Sequence, residues 1–295
     1  MLRNIWKTRE LLFCLVRRDL IVRYQSSVLG FFWSFAKPLA LVVIFFVAFG
    51  IIIPIGKTGE HAPPFALHLL VGILVWSFLA RSVSEGHWSV LSHSNLIKKI
   101  KLPVEVFPAV TVSGNLINFA LGMVVVYPIV LIVMSRTQGF ALTRVGLQLL
   151  ALAGLTVILA ALAFSLTLVV SALNVFYRDV ESLSEVALQA WFYATPIIYP
   201  MSLFYTSGFF GGGRAPRWVE FLYWCNPMTP ICVAFRRVLL YWSPPTGQGL
   251  PFNGLEVSDA QLFTYLGISV ALIVVLYLTA QTIFRHYARS FADEV

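Results

Sequence analysis

Gly50-Ile-Ile-Ile-Pro-Ile-Gly56-Lys57-Thr58 is the stretch that comes nearest to phosphate chemistry. A nucleotide cradle places four residues between its glycines before Lys-Ser/Thr, so that successive backbone N–H groups converge on the phosphates. Here five residues intervene, and the stretch ends an apolar run, so it does not read as an ATP site. The five histidines (His61, His68, His87, His93 and His286) form no HExxH-type pair. Glu85 and His87 end the second apolar run, where they read either as helix-end residues or as a proton site. Cys14, Cys225 and Cys232 form no CxxC pair, which excludes a zinc or dithiol motif. Cys225 and Cys232 sit seven apart and read as packing on one helix face. No Ser/His/Asp set or carboxylate pair lies together at membrane depth, so neither catalysis nor a metal site is expected.

The chemistry that remains is recognition by charge and by aromatic faces. It concentrates in Asn174–Pro200, where a charged connector (Tyr177, Arg178, Asp179, Glu181, Glu185) runs into Trp191, Phe192, Tyr193, Pro196, Tyr199 and Pro200. That order suggests a transport subunit: the connector is a handle for a second protein, and the following helix lines a path. Aromatic faces stack on sugar C–H surfaces while tolerating translation, which suits a glycan path. A second handle is Asn95-Leu-Ile-Lys98-Lys99-Ile-Lys101-Leu-Pro103-Val-Glu105, closed by Pro103 and Pro108. It reads either as a solvated basic loop or as a short helix that docks into a partner's groove.

The elements that must position these residues are membrane spans. The chain is 59% hydrophobic and 12% charged, with mean hydropathy +0.83, whereas soluble domains carry about 25% charged residues. A span needs about 20 apolar residues. Six runs qualify: Ser34–Ile55, Phe65–Ser84, Val106–Met134, Leu147–Val175, Val186–Leu203 and Leu262–Phe284. The fifth is short and proline-broken. The expected fold is therefore an all-α integral membrane domain over residues 34–295. Residues 95–104 and 176–186 are its cytoplasmic loops, and 204–261 form an outer region with re-entrant helices. Phe221–Trp242 is apolar but holds Asn226, Pro227, Pro230, Arg236 and Arg237, which fits a re-entrant or interfacial helix pair better than a seventh span. Span four carries Gly154, Ala160, Ala161, Ala163, Ser165, Ser171 and Ala172, which permit close helix packing.

Lys and Arg crowd the N-terminal segment, the loop after span two and the tail after span six, which places both termini in the cytoplasm. The formal charge of +8 is then topogenic, and no nucleic-acid partner is expected. Residues 1–29 are too polar to span and do not read as a cleavable signal; residues 1–33 are expected to form an interface helix and a gate loop. Ile5, Leu11, Leu12, Leu15, Val16, Leu20 and Val22 share one face opposite arginines, as in an amphipathic helix lying in the interface. Its Arg17, Arg18, Asp19, Arg23 and Tyr24 suit an acidic lipid headgroup or a soluble partner. An aromatic belt explains many of the remaining rings.

Four blocks, in this order, carry a family resemblance. They are Arg18–Trp33 with Pro38, Asn95–Pro103 with Pro108, Asn174–Pro200, and Asn226-Pro227-Met228-Thr229-Pro230 together with the tail Phe284–Val295. In them the chain resembles the membrane subunits of type-2 ABC exporters, most closely those for O-antigen, capsule and teichoic acid. The resemblance implies six spans, a homodimer around a central conduit, and two copies of a cytoplasmic ABC ATPase that binds the ATP and magnesium, leaving no cofactor in this chain. It implies ATPase coupling through Asn95, Lys98, Lys99, Lys101, Pro103, Asn174, Tyr177, Arg178 and Asp179, and a gate near Leu29 and Gly30. Asn226, Pro227 and Pro230 fall in its outer re-entrant helices. The expected activity is export of a lipid-linked polysaccharide across the inner membrane. Its pyrophosphate would be held by Arg17, Arg18 or Arg23, and its glycan would pass Trp33, Phe35, Trp191, Phe192, Tyr193 and Tyr199. The alternatives are export of another amphipathic cargo, such as teichoic acid, a glycolipid or a drug, and, outside the class, a passive channel or a membrane glycosyltransferase. The last calls for an acidic metal-holding cluster such as DxD, which this sequence lacks.

Overall fold

A computed structural model describes residues 6, 8–25, 32–52, 65–99, 103–138, 142–199, 216–240, 259–288 and 290–291. In chain order the helices are α1 (Arg9–Tyr24), α2 (Trp33–Phe46), α3 (Phe65–Gly86), α4 (Ser94–Lys99), α5 (Val106–Gln138), α6 (Leu142–Phe176), α7 (Val180–Ala194), α8 (Arg217–Cys225), α9 (Met228–Leu240) and α10 (Asp259–Ala288). A π-helical stretch, Val47–Ile52, continues α2. No strand occurs among the described residues.

Four helices are long and apolar enough to cross a membrane: Phe65–Gly86, Val106–Val133, Val145–Phe176 and Asp259–Ala288. They coincide with expected spans two, three, four and six. Their backbone polar groups are satisfied within each helix, which is what hydrocarbon demands. The chain is thus a multi-pass α-helical membrane protein. Of the first expected span, α2 and its π-helical continuation are described as far as Ile52, and residues 53–64 lie outside the described residues.

The fifth expected span differs most from its sequence reading. Helix α7 begins at Val180, six residues before the apolar run, and ends at Ala194. The start is set by Asp179 at the N-cap position and Glu181 in the first turn, both favourable beside the partial positive charge of a helix N-terminus. The end is set by Pro196: Thr195 takes the extended conformation, φ −106° and ψ 142°, that the residue before proline prefers. The loop expected at 176–186 accordingly shrinks to Tyr177–Asp179. Similarly, Asn95–Lys99 of the loop expected at 95–104 lie within helix α4.

The core centres on α3, which packs against α2, α5, α6, α7 and α9. Trp224, Phe235, Ile231 and Leu159 are among its sealed side chains. A second cluster, Phe176, Phe284, Phe291 and Tyr287, ties the end of α10 to the end of α6. A third docks α1 on the bundle, with Leu15 and Val16 against Val106, Phe107 and Val110. Val22, expected on the apolar face of α1, is 61% exposed.

Candidate functional site

The two expected handles come together at the end of the bundle that carries α1. The turn after α3 binds the connector and the start of α7. His87 Nδ1 lies 2.9 Å from the Ser84 carbonyl, which can only accept, so in the neutral ring Nε2 is the acceptor. Ser184 Oγ stands 2.6 Å from that Nε2. Trp88 Nε1 donates to Glu181 Oε1 at 3.0 Å. Asn174, at the end of α6, donates to the His87 carbonyl at 3.1 Å. Asn174 is only 3% exposed, so it braces the connector from within.

Arg178 and Asp179 are exposed, and Tyr177 is 57% exposed. Together with Trp88, Leu91, Asn174, Val175 and Glu181, Arg178 lines a cleft of about 470 Å³. Its wall mixes an indole, a guanidinium and a carboxylate that is already committed to Trp88, a surface suited to a protein partner's helix. In the other handle, Lys98 is exposed and Pro103 half-buried. The side chains of Asn95 and Lys99 lie outside the described residues, as does Lys101 altogether.

The arginines of α1 divide by role. Arg17 is exposed. Arg18 donates to His93 Nε2 at 2.7 Å and pairs with Asp19 at 3.1 Å. Arg23 pairs with Glu85 at 2.7 Å and donates to Asn115 Oδ1 at 2.9 Å, while Asn115 Nδ2 donates to the same Glu85 oxygen at 2.8 Å. Arg23 is therefore a latch between α1, α3 and α5. The Tyr24, Trp33 and Phe35 side chains, and the whole of Leu29 and Gly30, lie outside the described residues.

The aromatic residues of α7 also divide. Phe192 is sealed against Trp76, with centroids 5.6 Å apart, and stacks on Phe45 at 6.0 Å. Trp191 meets Trp76 edge-on at 5.8 Å and donates to Asn226 Oδ1 at 2.7 Å. Both pack into this chain's core, whereas Tyr193 is 55% exposed. Tyr199 donates to the Tyr193 carbonyl and accepts from Tyr223 at 3.0 Å.

Asn226 explains why the Asn-Pro block and the α7 aromatics belong together. Its Oδ1 accepts from Trp191 and, at 3.1 Å, from the Met228 N–H at the start of α9, and its Nδ2 donates to Thr195 Oγ1 at 3.0 Å. Pro227 needs no partner for an N–H it lacks, and Pro230 sits in the first turn of α9. Helices α8 and α9 are 9 and 13 residues long, two short helices between α7 and the membrane-crossing helix α10.

The contact that sequence reasoning missed is Arg236. Its guanidinium donates to the carbonyls of His68 (3.2 Å), Pro196 and Ile197 (2.7 Å), and the residue is 3% exposed. It joins α9 to α3 and to the chain leaving α7, whose carbonyls are released by the proline break. A Cβ on Gly72 would run into this guanidinium, so Gly72 provides its passage. The neighbouring Arg237 takes the other side and pairs with Asp259 at 2.7 Å. A signal was present: one of two adjacent arginines in an apolar helix must face inward.

The family model described as "ABC-2 type transporter" matches residues 10–240. A relative from Myxococcus xanthus, named O-antigen export system permease protein RfbA, is 32% identical over 203 residues, covering 68% of this chain and 73% of the relative. Two proteins of the same name from Klebsiella pneumoniae are 29% and 25% identical, over 66% and 80% of this chain and 71% and 83% of their own. The matched region holds both handles, the Arg236 brace and the Asn226 junction, and on this extent of similarity the chain belongs to the ABC-2 type transporter family.

Proposed function

We propose that the chain is the membrane subunit of an ATP-driven exporter that moves a lipid-linked, O-antigen-like polysaccharide from the cytoplasm across the inner membrane. It acts as a homodimer with both termini in the cytoplasm. Two copies of a separate ABC ATPase bind ATP and magnesium. The observation that carries this reading is the similarity, over two thirds or more of each chain, to relatives named for O-antigen export.

The mechanism follows from how the handle is fastened. Closure of the ATPase dimer pushes on Tyr177–Asp179 and on the Asn95–Pro103 segment. Tyr177, Arg178 and Asp179 are exposed to receive the push. The Ser184–His87 and Glu181–Trp88 bonds carry it into α7 and α3 as one body. At the far end of α7, Asn226 and Arg236 pass the movement to α9. Tyr193 is the α7 ring left facing outward, toward the cargo path. Trp191 and Phe192 shape that path from behind. Arg17 is exposed for contact with the entering cargo, and Leu29 and Gly30, which lie outside the described residues, are the proposed gate.

Export in cells carrying Arg178→Glu tests the coupling. The expected result is loss of surface glycan with weakened retention of the ATPase. Normal surface glycan together with undiminished ATPase binding would sink the assignment.

A further inference from the structure

Helix α3 is sealed on nearly every side, and its one half-open face is polar. Ser77, Ala80, Arg81, Ser84 and Glu85 recur at three- and four-residue steps, and each is half-buried while most of their neighbours are buried. Arg81 lies five residues, roughly 8 Å, inside the Gly86 end. Across from it, Asn115 and Asn118 share one face of α5. Ser77, Arg81, Asn115 and Asn118 form the polar wall of a cleft, and Phe78 and Phe119 form its apolar wall. The space at its centre is about 20 Å³, room for one water-sized group.

Arg81 is the unusual member. No hydrogen bond or ion pair reaches its guanidinium from the described residues. Glu85, four residues on, is its natural helical partner, but that carboxylate is held by Arg23 at 2.7 Å and by Asn115 at 2.8 Å. The cluster thus contains two arginines and one carboxylate, leaving one positive charge over. A cation within a membrane span is costly and is kept where a counter-charge visits. Guanidinium geometry matches phosphate oxygens bidentately. Ser77 adds a hydroxyl and Asn118 a carboxamide, the neutral donors such an anion uses.

We propose that this seam between α3 and α5 is a binding site for a phosphate group, with Arg81 as its anion-holding residue. It rests on the reading of the cargo as lipid-linked and moves the headgroup contact away from Arg23, which is occupied as a latch. One phosphoryl oxygen enters the central space. The rest of the headgroup and its lipid stay at the half-open face, beside α1. A lipid-linked diphosphate and a free phosphate share this chemistry, so the test carries an arm for each.

The experiment measures binding to the full chain, co-purified with its ATPase, in phosphatidylcholine nanodiscs. One arm uses farnesyl diphosphate and the other inorganic pyrophosphate. The expected result is farnesyl diphosphate binding that weakens about tenfold or more in Arg81→Gln and is partly kept in Arg81→Lys. Thermal unfolding without probe should leave Arg81→Gln at least as stable as the wild type, because it removes a cation that no described residue pairs; a purely structural arginine would give the opposite. Arg81-dependent binding of both probes supports the site and assigns recognition to the phosphate alone. Binding unchanged by Arg81→Gln, or no binding of either probe, overturns it. The cargo reading is judged separately, by surface glycan in cells lacking the chain.

Discussion

Arg236 on α9 donates a hydrogen bond to the Ile197 carbonyl, 39 residues earlier, across 2.7 Å. This one contact joins the short helices α8 and α9 to the broken end of α7. Pro196 frees carbonyls that would otherwise continue a helix, and a guanidinium with five donors can collect several at once. Replacing Arg236 with Met keeps apolar bulk but strands those acceptors. Each buried unsatisfied polar group costs about 1–3 kcal/mol, so a loss of about 2–4 kcal/mol is expected, read as a lower midpoint in detergent unfolding. An unchanged midpoint would show that water replaces the guanidinium.

Gly72→Ala reverses the usual sign. In an ordinary helix interior the change stabilises by roughly 0.5–1 kcal/mol. Here the new methyl group meets the Arg236 guanidinium and approaches the Ile197 carbonyl, and overpacking costs about 1–3 kcal/mol. Unfolding of Gly72→Ala should show net destabilisation, and the effect should shrink in an Arg236→Met background.

Asn226 separates into its two halves. Asn226→Asp keeps an oxygen for Trp191 and the Met228 N–H but loses donation to Thr195. Asn226→Ala loses both. The expected stability order is wild type, Asp, Ala, with Ala lower by about 1–2 kcal/mol. Equal effects of the two variants would contradict the geometry.

The spans were legible because about 20 apolar residues in a row have few other uses, and α3, α5, α6 and α10 all appeared where hydropathy placed them. The connector was legible from its charges, but its length was not: Val180–Glu185 looks polar, yet Asp179 and Glu181 favour a helix start there. Arg236 with His68, and Arg23 with Glu85, stand 168 and 62 residues apart. Such pairings follow from how helices pack, which no local spacing encodes. The resemblance places Asn174 among the partner-facing residues, whereas its burial against His87 shows only in three dimensions.

Ser184→Ala probes the fastening of the handle. One hydrogen bond to His87 is lost, a cost of about 1 kcal/mol, too small to unfold the bundle. Export should fall by more than the amount of protein in the membrane falls, and the ATPase should stay bound. Export in proportion to protein level would place the bond outside the coupling route.

The Arg23–Glu85 latch should be modest on its own. Their side chains are 29% and 34% exposed, so solvent screens the pair and a double-mutant cycle with Arg23→Gln and Glu85→Gln should return about 0.5–1 kcal/mol. A coupling energy near zero would detach α1 from α3.

Export by this chain is read from surface glycan in cells from which it has been deleted. The lipid-linked polysaccharide should disappear from the surface, accumulate on the cytoplasmic side, and return when the wild-type chain is restored. Undiminished surface glycan in the deleted cells would contradict it.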